Sequence, residues 1–295
     1  MDGKKKYIDL GERGRLNLKN KLNDLTGKEW IKFTKSWFVH NPKRRSEEEV
    51  IHPAKFPESL VKEFIEFFTK KDEWALDPFL GVGSALCAAG ELGRNGVGVE
   101  LNPEYFNAAK IRIKKVKTKT KLKPLLGSSL DLKKLLKKAK LGDRKFDYVI
   151  TSPPYWNQLE RNSIRQKSRT EKNLDTKYSE DAEDLGNISS YEEFIEAQAK
   201  IFDEVYDVTK DNGYLTIITN NVFFDGRLYP LAYDTATSLT KRGEKSWVLK
   251  DEKIWLQNDK RLLALGINNA WVGNRHHQYC LIFRKEENGK RSNNK

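Results

Sequence analysis

Cysteine and histidine are scarce in this 295-residue chain, which has two cysteines, Cys87 and Cys280, and four histidines. Their number and spacing exclude a disulfide framework and offer no ligand set for a metal. No apolar run approaches the ~20 residues that a bilayer-crossing helix needs. The first residues, Met1-Asp2-Gly3-Lys4-Lys5-Lys6, lack the apolar core of a secretory signal. No phosphate-binding G-x-x-x-x-G-K-[ST] loop occurs, and no segment repeats. The expectation is a metal-free cytoplasmic protein without a membrane partner.

Charge is what the chain has in abundance. A third of its residues are charged, the net charge is +13, and the pI is near 9.4. Such a surplus suits a polyanionic partner. From Lys110 to Lys140 there are thirteen Lys or Arg and one acid, Asp131, which predicts a strong local positive field. The length and the 38% hydrophobic content allow one large α/β domain with extensions.

Two stretches carry chemistry. In the first, Trp74-Ala75-Leu76-Asp77 reads as a short strand, Pro78-Phe79-Leu80-Gly81-Val82-Gly83 as a glycine-rich turn, and Ala85 to Leu92 as a helix. A second strand, Gly96 to Val99, ends in Glu100, an acid placed to hold ribose hydroxyls. The third glycine of a dinucleotide fingerprint would fall at Leu86, so a nucleoside without a pyrophosphate fits better. In the second stretch, the strand Phe146–Ile150 runs into Thr151-Ser152-Pro153-Pro154-Tyr155-Trp156. Two prolines fix φ and donate no N–H, so the chain there is stiff and cannot continue a sheet. A hydroxyl, free carbonyls and aromatic faces together suit a planar ring bearing an NH2 group.

Around these, Trp30, Phe33, Trp37 and Phe38 have the spacing of a helix docked on the main domain. The segment Asn41-Pro42-Lys43-Arg44-Arg45 is a basic loop and a candidate phosphate contact. An amphipathic helix starts near Pro57 and runs to about Phe68, and another runs from the Asn102 cap to about Val116. A short strand at 124–126 leads to the turn Gly127-Ser128-Ser129-Leu130, and a basic helix spans 133–140. The polar segment 157–190 is too long for an ordinary connection, and its first half is basic. Helices are expected over Tyr191–Val208 and Ala232–Arg242, a strand over Gly213–Thr219, and a closing antiparallel hairpin from 253–256 and 278–283.

The ordered series resembles the S-adenosylmethionine-dependent DNA amino-methyltransferases. Asp77-Pro78-Phe79-Leu80-Gly81-Val82-Gly83 is similar to their cofactor loop D-P-F-x-G-x-G, and Ser152-Pro153-Pro154-Tyr155 to their catalytic loop. His52-Pro53 with Phe56-Pro57 is similar to their methionine-binding segment. The chain departs from the family's pattern at Ser129, where many members carry an acid. The resemblance implies an α/β fold, a Rossmann-like seven-stranded mostly parallel sheet with helices on both faces and an antiparallel C-terminal hairpin. It implies a catalytic domain over 51–285 with a polar insertion at 157–190, an extension at 1–50 packed on the core or contacting DNA, and a tail at 286–295.

The site residues it implies are Ser152, Pro153, Pro154 and Tyr155 for catalysis. For S-adenosylmethionine they are His52, Phe56, Asp77, Pro78, Phe79, Gly81, Gly83, Glu100, Leu101, Ser129, Leu130 and Ser152. Candidate DNA contacts are Arg44, Arg45, Arg161, Arg165, Lys167 and Arg169. The Ser-first form of the catalytic loop is typical of cytosine-N4 enzymes, so sequence-specific methylation of that amine in double-stranded DNA is the leading expectation, with a cognate restriction endonuclease as a partner. An adenine-N6 enzyme, an RNA guanine-N2 enzyme and an inactive nucleic-acid-binding module are the alternatives. A covalent cysteine route is not expected, because Cys87 and Cys280 both fall in predicted core elements.

Overall fold

The structure is a computed structural model that describes residues 7–9, 12, 15–17, 20–41, 56–156, 184–267 and 270–286. Its strands, in chain order, are β1 (Tyr7–Asp9), β2 (Arg15–Asn17), β3 (Trp37–Val39), β4 (Trp74–Asp77), β5 (Asn95–Glu100), β6 (Leu122–Leu126), β7 (Phe146–Thr151), β8 (Thr209–Thr219), β9 (Val222–Phe224), β10 (Arg227–Tyr229), β11 (Val248–Leu256) and β12 (His277–Arg284). The helices are α1 (Gly27–Phe33), α2 (Glu58–Phe68), α3 (Ser84–Glu91), α4 (Pro103–Lys115), α5 (Leu132–Lys138), α6 (Tyr191–Val208) and α7 (Leu231–Thr240).

Strands this apolar need cover on both faces. Eight of them form one sheet in the order β3-β11-β12-β8-β7-β4-β5-β6. From β8 to β6 the neighbours are all parallel, and β12 enters antiparallel between β11 and β8. Side chains alternate between the faces along each strand. Tyr148, Ile150, Ile218, Cys280 and Ile282 join the layer of α2, α3 and α4. Val149, Leu215, Ile217, Leu281 and Phe283 join the layer of α5, α6 and α7. Helix α2 presents Leu60, Val61, Phe64, Ile65 and Phe68, one face at helical spacing, to the first of these layers.

Two expectations are corrected. The sheet has eight strands, not seven, and the aromatic stripe near the N-terminus is not one helix. Helix α1 ends at Phe33, and Trp37-Phe38-Val39 lies extended as an edge strand parallel to β11. The β-prone triplet is drawn out by unpaired backbone on β11: Ile254 N–H donates to Ser36 O at 2.8 Å and His40 N–H to Leu256 O at 3.0 Å. The helical part of the stripe packs on α2, with the Phe33 ring stacked on Phe67 at 4.0 Å and Trp30 at 4.7 Å from the same ring. The hairpin β9–β10 was not anticipated. Its turn holds Asp225 and Gly226 at positive φ, 45° and 74°.

Candidate active site at the carboxyl edge of the sheet

The parallel strands β4, β5, β7 and β8 all end at one edge, where open α/β sheets collect ligands. Asp77 ends β4. Its Oδ1 accepts from Phe79 N–H at 3.0 Å, which folds the chain sharply into the turn. Leu80 N–H donates to Val99 O at 2.8 Å and Gly83 N–H to Leu80 O at 3.0 Å. Gly81 and Gly83 have φ of 54° and 89°, a region costly for residues with a Cβ. A Cβ on Gly83 would also stand 3.1 Å from the Cβ of Ala109, so α4 packs directly on the turn.

Glu100 ends β5 and braces that turn from below. Its Oε2 accepts from Gly81 N–H at 2.7 Å and its Oε1 from Asn102 N–H at 2.8 Å. Each oxygen keeps a lone pair for a further donor. Burial pushes both Asp77 and Glu100 up to about 7, against the opposing pull of their hydrogen bonds. Asp77 Oδ2 is buried with no hydrogen-bond partner. An orphan carboxylate oxygen on a desolvated acid is a place for a cation or an N–H donor.

The two motifs meet through one bond. Thr151, the last residue of β7, donates from Oγ1 to Asp77 Oδ1 at 2.6 Å. Because β4 and β7 are adjacent and parallel, Ser152 and the prolines emerge beside the glycine turn. Ser152 Oγ lies 3.1 Å from the Tyr155 hydroxyl, which donates to Gln278 Oε1 at 2.9 Å and lies 3.4 Å from Ile218 O. Burial raises the Tyr155 hydroxyl well above the ordinary tyrosine range, so it stays protonated. Trp156 anchors the loop: its indole N–H donates to Ser189 O at 3.1 Å, and its ring meets those of Tyr229, Tyr191 and Phe224 at 4.5, 5.0 and 5.4 Å. Trp156 is packing, 4% exposed, and not a pocket face.

The other expected residues divide. Ser129 is buried at this edge, but its hydroxyl donates to Pro78 O at 2.5 Å and so serves the turn. Pro78 is buried, while Phe79 and Leu101 are half-buried beside the turn and the acid. Leu130 is exposed, and Phe56 lies in the apolar cluster at the start of α2. His52, Arg44, Arg45, Arg161, Arg165, Lys167 and Arg169 lie outside the described residues. The basic run is partly neutralised: Lys133 pairs with Glu204 at 3.0 Å and Asp207 at 2.8 Å, and Lys134 with Asp131 at 2.6 Å. Cys87 and Cys280 are both buried, and burial raises the Cys280 thiol far above its usual range.

Four residues at this edge were not identified from the sequence as site residues: Thr151, Gln278, Thr219 and Asn220. The Thr219 hydroxyl and Asn220 Oδ1 are buried without partners at the end of β8, next to the Ser152–Tyr155 loop. Two asparagines, Asn220 and Asn221, directly after the expected strand Gly213–Thr219 were the available signal.

Comparison with known proteins gives the family and the fold. A family profile described as DNA methylase, N6_N4_Mtase, matches residues 4–111 and 146–295. The type II methyltransferase M.MjaII of Methanocaldococcus jannaschii is 27% identical over 230 residues, covering 71% of this chain and 41% of that protein. The type II methyltransferase M.BglI of Bacillus subtilis is 32% identical over 117 residues, covering 38% of this chain and 33% of that one. The chain thus spans less than half the length of these curated relatives. TrmN from Thermus thermophilus shares the fold, with a TM-score of 0.50 at 9% identity over 81% of this chain and 52% of TrmN.

Proposed function

The chain belongs to the N6_N4_Mtase DNA methylase family, and from that premise we propose that it methylates the exocyclic N4 amine of cytosine in double-stranded DNA, at a specific sequence and on a base turned out of the helix. The methyl donor is S-adenosylmethionine, which when bound supplies an electrophilic methyl carbon on a sulfonium. The residues present fit such a group. Asp77 Oδ2, buried and unpartnered, suits its ammonium, and the free lone pairs of Glu100 suit a ribose diol. Gly81 and Gly83 keep the turn narrow, with Ser129 holding Pro78 in place.

The observation that carries the reading is the Thr151–Asp77 hydrogen bond, 2.6 Å long. It couples the strand that ends in a cofactor turn to the strand that ends in an amine-binding loop. An aromatic amine is a poor nucleophile because its lone pair is delocalised into the ring. The loop's task is to accept hydrogen bonds from the NH2 group and so favour the pyramidal nitrogen. The hydrogen-bond order supports this. With the Tyr155 proton given to Gln278 Oε1, Ser152 is the donor to the Tyr155 oxygen and keeps its own lone pairs as acceptors. Alignment and fixed dipoles then supply most of the rate. Turning the base out costs a few kcal/mol, which phosphate contacts from a basic surface offset.

Incubation with methyl-labelled cofactor and separate DNA and RNA pools, followed by nucleoside analysis, tests the proposal. N4-methylcytosine in DNA is the expected product. N6-methyladenine would overturn the choice of base, and label confined to RNA would overturn the choice of nucleic acid. The proposal extends to a restriction endonuclease reading the same sequence, a pairing tested by whether DNA methylated in this way resists a nuclease from the same cells.

A further inference from the structure

Between β11 and β12 the described residues 258–267 and 270–276 project as the two limbs of an arm. Strand β12 runs against β8 and β11 runs against β12, so the arm leaves the sheet at the edge that holds Asp77, Ser152 and Thr219. It is held by its own hydrogen bonds. Gln257 N–H donates to His276 O at 2.8 Å. Higher up, the Asn274 side chain clasps the opposite limb, accepting from Leu263 N–H at 2.9 Å and donating to Leu263 O at 2.8 Å. Near the tip, Ala270 N–H donates to Gly266 O at 3.1 Å. Gly266 has φ of 64°, and a Cβ on it would fall 1.6 Å from Ala270 O, so only glycine closes this turn.

What this frame displays is apolar. Trp271 is 92% exposed, Ile267 79% and Leu262 72%. Scattered exposed leucines need no account, but a nearly bare indole and a nearly bare isoleucine four positions apart in the chain do. The root of the arm is basic: Lys260, Arg261 and Arg275 against one acid, Asp259. Their field reaches the catalytic edge, since His277, held below the usual imidazole range first by burial, is pushed further down by Arg275 and Lys260. The next residue, Gln278, is the one that holds Tyr155. Cations near the catalytic loop with apolar side chains beyond them match a DNA duplex, whose phosphates lie outside its base stack.

We propose that this arm enters the duplex beside the target base, with Trp271 and Ile267 filling the space that the extruded base leaves and Lys260, Arg261 and Arg275 holding the flanking phosphates. The inference rests on the proposed action on a turned-out base. It assigns Trp271 and Ile267 to the opening of the duplex and leaves methyl transfer itself to the residues at the strand ends. At 92% and 79% exposure, both can be changed without disturbing the core.

The test compares the parent protein with Trp271→Ala and with Ile267→Ser on two duplexes carrying the site found by methylation mapping, one fully paired and one with an abasic position opposite the target. On the paired duplex Trp271→Ala should lower kcat/KM by about 10–100-fold, the scale of one lost aromatic–base stack. Opposite the abasic position, where the base is already released, the deficit should shrink to about threefold or less. Equal losses on both duplexes, or none on the paired one, would overturn the proposal. So would a parent dimer that Trp271→Ala dissociates while leaving activity on the paired duplex intact. A parent protein that methylates no DNA would refute the functional reading itself, an outcome distinct from an active parent whose arm variants match it.

Discussion

At the amino edge of the parallel sheet, Asp147 accepts from Trp74 N–H at 2.9 Å and pairs with Lys210. Beside it, Arg94 donates to Thr69 Oγ1, Leu92 O and Thr69 O at 3.2, 2.7 and 3.0 Å, and Asn95 bridges Asp72 O and Lys121 N–H. At the carboxyl edge, Asp77, Ser84, Thr219, Asn220 and Gln257 each keep a buried polar atom with no partner. Among the described residues one other side chain shares that condition, Gln198 in α6, whose Oε1 is satisfied by Thr235. The same strands therefore end in saturated polar groups on one side and unsaturated ones on the other. An unmet buried group costs about 1–3 kcal/mol, so the carboxyl edge is the less stable end, and the groups left open there are those a ligand would complete.

The largest break in that comparison is expected at Ser152. Ser152→Ala removes the acceptor proposed for the amine but leaves the turn 77–83 untouched, so kcat should fall by about 100–1000-fold, as for loss of one preorganised polar group in an active site. Cofactor affinity, read by calorimetry, should shift by less than about twofold. Equal losses in kcat and affinity would show that the two strand ends do not divide the work. Gln278→Leu sharpens the point. With no acceptor for the Tyr155 proton, that hydroxyl turns toward Ser152 or Ile218 O and competes for the amine's acceptor. A fall in kcat of about tenfold with unchanged cofactor affinity is expected, and Gln278→Glu, which keeps the acceptor, should restore most of it.

Asp77 comes next and carries a pH signature. Its folded-state carboxyl titrates near 7 against an ordinary 3.8, and that of Glu100 near 7 against 4.5. Between those values the folded protein holds protons that the unfolded chain has released, so ligand-free stability falls as pH rises from about 4 to about 7. Asp77→Asn can keep the bonds to Phe79 and Thr151 while removing the buried charge. Ligand-free Asp77→Asn should thus be more stable than the parent at pH 8 and lose that advantage below about pH 4. Cofactor affinity moves the other way: in the parent it should weaken as pH drops through about 7, and in the variant it should be about 10–100-fold weaker with a flatter profile. Denaturation midpoints and calorimetry across pH check both signs. A parent that gains ligand-free stability from pH 4 to 7 relative to the variant would break the account of Asp77.

The turn 77–83, Glu100 and the Ser152–Tyr155 loop were legible in the sequence because each is a short run whose chemistry is local. The residues that join them were not. Thr151 reaches Asp77 across 74 positions and Tyr155 reaches Gln278 across 123, and only the sheet order brings them together. The eighth strand was hidden for a different reason: Trp30, Phe33 and Trp37 fit helical spacing as well as they fit a helix followed by a strand, and the free edge of β11 decided between the two. The basic run misled by omission, since the acids that offset Lys133, Glu204 and Asp207, are supplied by α6.

The smallest effect on activity is expected at the amino edge, where Asp147 separates structural from functional polarity. Its carboxylate is 10% exposed and serves two purposes, receiving the Trp74 N–H at the start of β4 and neutralising Lys210 at the start of β8. Asp147→Ala strands a buried donor and should cost about 1–3 kcal/mol in denaturant unfolding. Because no ligand group is met there, kcat and cofactor affinity at 25 °C should stay within about twofold for as long as the protein remains folded. Asp147→Asn keeps an acceptor for Trp74 and should recover most of the lost stability, which isolates the hydrogen bond from the exposed half of the ion pair with Lys210, itself worth little in water. A loss of turnover in Asp147→Ala beyond its loss of folded protein would mean that the ends of β4 and β7 communicate through the strands. The contrast between a saturated end and an open end would then describe one cooperative unit, with strain at Trp74 passing along four residues to Asp77.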